Sequence, residues 1–186
     1  MKDKKCKNCG EVFEPQRSMQ QACSVPCAIE LANKAKVKSI TLKAAKERKA
    51  LKEKLDAMRT KPQLVKLAQT AFNAFIRARD AGKPCISCGT QLSSDVVGGA
   101  FDCGHYRSVG SAAHMRFVED NAHGQCKHCN RHLAGNHVEY RKGLVNRIGA
   151  KRVEQIESDS TLRKYTHEGL VEIARHYRAE TRKILR

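Results

Sequence analysis

The sequence predicts a mostly helical α+β protein, in which a small strand-and-helix core is braced by a four-cysteine zinc site behind an N-terminal zinc knuckle and a long basic helix. Three observations lead there. Eight of the nine cysteines fall into paired knuckle spacings, long Gly- and Pro-free runs are rich in Ala, Leu, Lys, Glu and Arg, and apolar residues recur at helical intervals. With 186 residues and a formal charge of +17 from 36 Lys and Arg against 19 Asp and Glu, the chain is too small for one large core. It must either meet a polyanion or tolerate self-repulsion. Nucleic acid is therefore the expected partner. No apolar run is long enough to cross a bilayer, and the opening MKDKKCKNCG lacks the apolar middle of a secretory signal. A cytoplasmic protein with no membrane partner is expected, and in that reducing compartment CxxC pairs read as metal ligands rather than disulfides.

The first stretch, residues 1–28, holds Cys6, Cys9, Cys23 and Cys27 as CxxC, thirteen intervening residues and CxxxC, which can set four thiolates around one Zn²⁺. So short a segment cannot bury enough surface to fold unaided, and ligation must supply most of its stability. Residues 29–61 form the second stretch, a basic helical linker. Helix is expected from Ala28 to about Lys61, ending near Pro62. Its lysines form either a solvated face or a track for phosphates.

The third stretch, 62–142, opens with a second helix, where Leu64, Leu67, Ala71, Phe75 and Ala78 make one apolar face. Cys85 and Cys88 in CISC and Cys126 and Cys129 in CKHC, thirty-seven residues apart, then supply a second four-thiolate site. Four sulfurs fill the zinc shell, so this metal is structural and clamps the ends of whatever lies between. The unpaired Cys103 reads as a small packing residue. The last stretch, 143–186, reads as helix, with Val153, Ile156, Leu170, Ile173 and Ala174 as its contacts and no evident site.

Between and just after the second pair of knuckles lie FDCGHYRS, FVEDNAHGQ and CNRHLAGNH. A short strand from Gly99 to Arg107 sends Asp102 and His105 to opposite sides, unless a bend at Gly104 lets both border one cleft. A helix begun after Cys129 brings Asn130 toward Asp102. Such oxygens suit Mg²⁺ or Mn²⁺, so Asp102 and Asn130 are the expected ligands, with His132 the alternative if the helix starts later. A neutral His105 can then take a proton from a water aligned on a phosphorus, in metal-assisted phosphodiester hydrolysis. Asn121 is placed to tie the loop down and hold the imidazole's other nitrogen. Tyr106, Arg107, Arg116 and Arg131 are either a solvated basic rim or forks that hold DNA phosphates. His114, His123 and His128 read first as surface or packing residues, with phosphate contact the alternative, and Asn136 and His137 as the point that ends or redirects the helix. The arrangement is that of a ββα-metal core of the HNH, or His-Me finger, type.

CISCGT, DCGHYRS, RFVEDNAHGQCKHCN and RIGAKRVEQIES, with CKNCGEVFEP and ACSVPC before them, resemble the lambdoid-phage NinG (Rap) family over nearly the whole chain. That resemblance implies an endonuclease that nicks branched DNA such as Holliday junctions and displacement loops with Mg²⁺ or a similar cation. It also implies a homodimer that meets other recombination proteins in the bacterial host cytoplasm. The cysteine-bounded segment is more distantly similar to phage recombination endonuclease VII, which also has an Asn directly after its last Cys. Here Cys103 and Gly104 separate Asp102 from His105, a departure that weakens the carboxylate's assignment more than the imidazole's. The rival reading is a non-catalytic zinc-finger protein that binds nucleic acid. A zinc hydrolase or deaminase would need an open zinc position, which a full shell of sulfur does not leave.

Overall fold

The computed structural model describes residues 2–93 and 101–186. The chain forms two compact units, Met1–Met58 and Arg59–Arg186. Cys27 already lies in the first helix, which joins knuckle and linker, and the last helix packs along the second, which joins the 62–142 and 143–186 stretches.

In the first unit a hairpin of β1 (Lys4–Lys5) and β2 (Val12–Phe13) precedes α1 (Val25–Met58). Helix α1 starts three residues earlier and stops three residues earlier than expected. In the second unit, Pro62 opens a helix instead of closing one. It lies in the first turn of α2 (Lys61–Asp80), where its missing N–H costs nothing, and Gln63 Oε1 accepts a bond from Thr60 N at 2.9 Å across the cap.

Helix α2 is the spine of this unit. Leu64, Ala68, Phe72 and Ile76 meet Leu170, Ala174 and Tyr177 of α5 (His167–Ile184), and Phe117 and Ala122 close the same core. The buried set is wider than the expected stripe: Ala68, Phe72 and Ile76 are added, while Leu67 and Ala78 are only half-buried. A helix covered on two sides buries more than one row. β3 (Phe101–His105) pairs antiparallel with β4 (Ala122–Cys126), Asp102 opposite Gln125 and His105 opposite Ala122. Of the expected strand Gly99–Arg107, residues 99 and 100 lie outside the described residues.

No α-helix starts after Cys129. A π-helical turn, His128–His132, is followed by positive φ at Ala134, Gly135 and Asn136, and α3 (His137–Ile148) begins only there. Three successive left-handed residues cannot continue a right-handed helix. Asn136 thus redirects the chain. α4 (Ala150–Ser158) buries Val153 and Ile156. Among the described residues no helix is long and apolar enough to cross a membrane.

Candidate functional site

Both cysteine sets converge. In Cys6, Cys9, Cys23 and Cys27, and again in Cys85, Cys88, Cys126 and Cys129, the four sulfurs lie within 4.8 Å of one another. Sulfur pairs stand 3.6 Å apart at Cys9–Cys23, 3.7 Å at Cys23–Cys27 and 3.7 Å at Cys88–Cys126. A tetrahedral shell with bonds of about 2.3 Å puts its corners roughly 3.8 Å apart, so each set can hold one Zn²⁺. Amide donors complete the second set: Cys126 N reaches Cys85 Sγ at 3.3 Å and Asn136 Nδ2 reaches Cys129 Sγ at 3.7 Å. Such bonds stabilise thiolate and orient the ligands. No hard-oxygen or imidazole ligand sits in either set.

Beside the second cluster the turn after Cys129 brings Asn130 to the hairpin. Asn130 Nδ2 donates to Asp102 Oδ2 at 3.0 Å, and Arg131 clasps both carboxylate oxygens at 2.7 and 2.8 Å. Burial raises the Asp102 carboxyl pKa, but the bonds from Arg131 and Asn130 outweigh it and hold the group below its ordinary range. The two expected oxygen ligands therefore meet. His132 does not join them; it is exposed and tilts against His128 with ring centres 5.9 Å apart.

His105 lies on the other face of β3. Its ring packs on Phe72 at 5.9 Å, and Nε2 stands 3.0 Å from the carbonyl oxygen of Arg116. β3 pairs with β4 in regular register through Gly104, so the bend that was to bring His105 round to Asp102 is absent, and alternation keeps the two side chains apart. Burial, the largest influence, lowers the imidazole pKa and keeps it neutral. A carbonyl only accepts, so Nε2 carries the hydrogen and Nδ1 the lone pair.

Of the two tasks expected of Asn121, one is performed. Fully buried, its amide accepts from Arg107 N at 2.8 Å and donates to Arg107 O at 3.1 Å and Met115 O at 3.3 Å, which fastens the loop between the strands. It does not touch the imidazole; the Arg116 carbonyl takes that place, because Asn121 points inward beneath the loop. The four side chains expected on DNA also have partners within the chain. Tyr106 Oη donates to Glu157 at 2.6 Å, Arg107 donates to the carbonyls of Ile156 and Asp159, Arg116 to Gln69 at 3.1 Å, and Arg131 to Asp102.

The whole chain, residues 1–186, matches the family model described as Bacteriophage Lambda NinG protein. It belongs to the NinG family. It is 39% identical over 176 residues to Protein ninG of Escherichia phage 933W, covering 89% of this chain and 85% of that one. It is 38% identical over 191 residues to Protein ninG of Salmonella phage P22 (94% and 90%) and of Escherichia phage lambda (94% and 89%). No solved structure matches the chain.

One cluster in this NinG-family chain gave no signal in the sequence. Asp80, fully buried at the end of α2, accepts from Arg79 at 2.8 and 3.0 Å, Lys83 at 3.0 Å and the backbone N of Gly124 in β4 at 2.8 Å. Burial opposes its ionisation, yet the partners prevail and its pKa lies far below the usual range. His123, also buried, faces it at 3.8 Å. Arg79 approaches His123 Nδ1 at 3.1 Å and can only donate, so Nε2–H of that ring points to the Asp120 carbonyl at 3.2 Å, and burial lowers this pKa too. His114 reaches the Asp159 carbonyl at 2.8 Å. These two histidines brace the fold.

Proposed function

We propose that this chain is a divalent-metal-dependent endonuclease of the HNH type that nicks branched DNA recombination intermediates such as Holliday junctions and displacement loops. The observation that carries the reading is the meeting of Asp102 and Asn130, from a strand and a turn whose ends are gathered by one four-cysteine cluster. The donor set fits Mg²⁺ or Mn²⁺, which favour carboxylate and amide oxygens and keep most of their waters. Asn130 now offers its NH₂ to an anion; a cation in that place would take its Oδ1 instead. When bound, the metal would supply charge stabilisation at a phosphate oxygen.

The chain's own groups do the rest. Arg131, released from Asp102 by a competing cation, becomes a free fork for a phosphate. His105, neutral and with Nε2–H committed to the Arg116 carbonyl, offers Nδ1 as the base that takes a proton from water. Asp102 and His105 lie roughly 10 Å apart along β3, on opposite faces. Among the described residues β3 pairs only with β4, so a DNA backbone along its open edge can be approached from both faces at once. Asn121 keeps the loop that carries Arg116, and hence the imidazole, in place.

The test uses the purified full chain with Mg²⁺ on a synthetic four-way junction and a matched linear duplex. The junction is nicked, His105→Ala binds it without nicking, and Asp102→Asn needs more metal. Equal cutting by His105→Ala removes the imidazole from the mechanism. A second reading, a non-catalytic zinc-finger protein that binds nucleic acid, is favoured by the separation of His105 from Asp102 and Asn130. Junction binding that survives brief EDTA, with no cut in Mg²⁺ or Mn²⁺, would decide for it.

A further inference from the structure

We infer that Arg131 is a self-blocking group, which keeps a divalent cation off Asp102 until a DNA phosphate draws the guanidinium away. The inference rests on the metal-dependent reading above and adds the control of that same site: cation and DNA bind there together, and each binds weakly alone.

Three donors already fill the carboxylate. Asn130 Nδ2 and Arg131 Nε both donate to Asp102 Oδ2, at 3.0 and 2.7 Å, and Arg131 Nη2 donates to Oδ1 at 2.8 Å. The Asp102 side chain is only 19% exposed, so a fork lying on both oxygens leaves a cation little room beside it. A dication brought there meets a carboxylate that Arg131 has already neutralised, with the charge of Lys127 close by. The chain as a whole, at +17, repels it too.

Arg131 is the one arginine of the expected DNA contacts that is free to change partners. Arg107 and Arg116 are half-buried and hold the carbonyls of Ile156 and Asp159 and the amide of Gln69. The Arg131 side chain is 58% exposed, and among the described residues Asp102 is its only hydrogen-bond partner. An ion pair so exposed is weak enough to exchange, and a phosphate offers a guanidinium the same two-oxygen acceptor as a carboxylate. Once a phosphate takes the fork, Asp102 regains its full charge and the phosphate adds its own, so the affinity for a cation rises. Linkage then raises the affinity for DNA by the same factor. Only a backbone that sets a phosphate within reach of Arg131 loads the site, which ties the shape of the DNA to metal occupancy.

The experiment first measures Mn²⁺ binding to the zinc-loaded full chain without DNA, from the paramagnetic signal of the free ion. Arg131→Ala is expected to bind Mn²⁺ about five-fold more tightly than wild type. Lys127→Ala, which removes an equal charge but no bond, should change the affinity less than about two-fold. Asp102→Asn should abolish this binding, alone or combined with Arg131→Ala. Fluorescence anisotropy of a labelled four-way junction then reads the reverse coupling at constant ionic strength, with His105→Ala in every chain to keep the DNA whole. Mn²⁺ should tighten junction binding about five-fold, and Arg131→Ala should shrink that gain at least about three-fold. Unchanged helical circular dichroism and zinc content show that each variant is folded. Mn²⁺ binding that needs Asp102 but is no tighter in Arg131→Ala, or a junction coupling as large in that variant, overturns the inference and leaves the metal site standing. Mn²⁺ binding that is absent from Arg131→Ala, or indifferent to Asp102→Asn, overturns both.

Discussion

Asp80→Asn keeps the shape of a buried side chain and removes its charge, leaving Arg79 without its main partner and Gly124 N with a weaker acceptor. The 3.0 Å bond from Lys83 counts for little, since that lysine is half exposed. The buried part, Arg79 and the tie to β4, sets the size: breaking a buried pair on one side costs about 3–5 kcal/mol. For a unit of this length 1 kcal/mol moves Tm by about 3–5 °C, so the variant should melt roughly 10–20 °C lower. The assay is far-ultraviolet circular dichroism during heating at pH 7.5 with excess Zn²⁺. The carboxyl is held below its unfolded value near 4, so its stabilisation is complete above that pH and is lost as pH falls through the lower folded value. The gap between wild type and variant in urea should thus be present at pH 7.5 and no smaller at pH 5, where loss of the charge that faces His123 makes protonation of that buried ring harder still. A Tm difference under about 3 °C would refute the idea that this carboxylate fastens α2 to the hairpin.

Other outcomes follow from single contacts. A Cβ on Gly143 would stand 1.8 Å from the carbonyl oxygen of Ile86, about 1.4 Å inside normal contact; Gly143→Ala should cost about 1–3 kcal/mol in urea unfolding and speed zinc loss to a chelating dye. Metal analysis should find two zinc ions in the native chain and one in Cys85→Ser, and two in that variant would exclude the second cluster. The His105 and His123 imidazoles are held below their unfolded value near 6.5, so the unfolded chain binds more protons and stability falls as pH drops below about 6.5. For the same reason any nicking rate should be level above pH 7 and lose its base below 6.5, and an acid limb lying above 6.5 would exclude His105 as that base.

The zinc clusters were legible because a metal needs few, specific atoms at fixed chain spacing: Cys85, Cys88, Cys126 and Cys129 converge as the CxxC pattern requires. α1, α2 and α5 were legible for a similar reason, since helix composition and apolar period act locally. What the sequence could not state was which group meets which across long separations. Asp102 and Asn130 do meet, but Arg131 holds the carboxylate rather than solvent phosphate, and the Arg116 carbonyl takes the imidazole nitrogen assigned to Asn121. Nothing in the residue pattern singled out Asp80, and only burial against β4 makes it a hub. Local order and ligand identity were therefore written in the residues themselves, through backbone propensity and the demands of zinc. The pairing of polar groups was decided by tertiary packing, because a buried charge takes whichever donors the fold brings within about 3 Å, and chain order does not encode that distance.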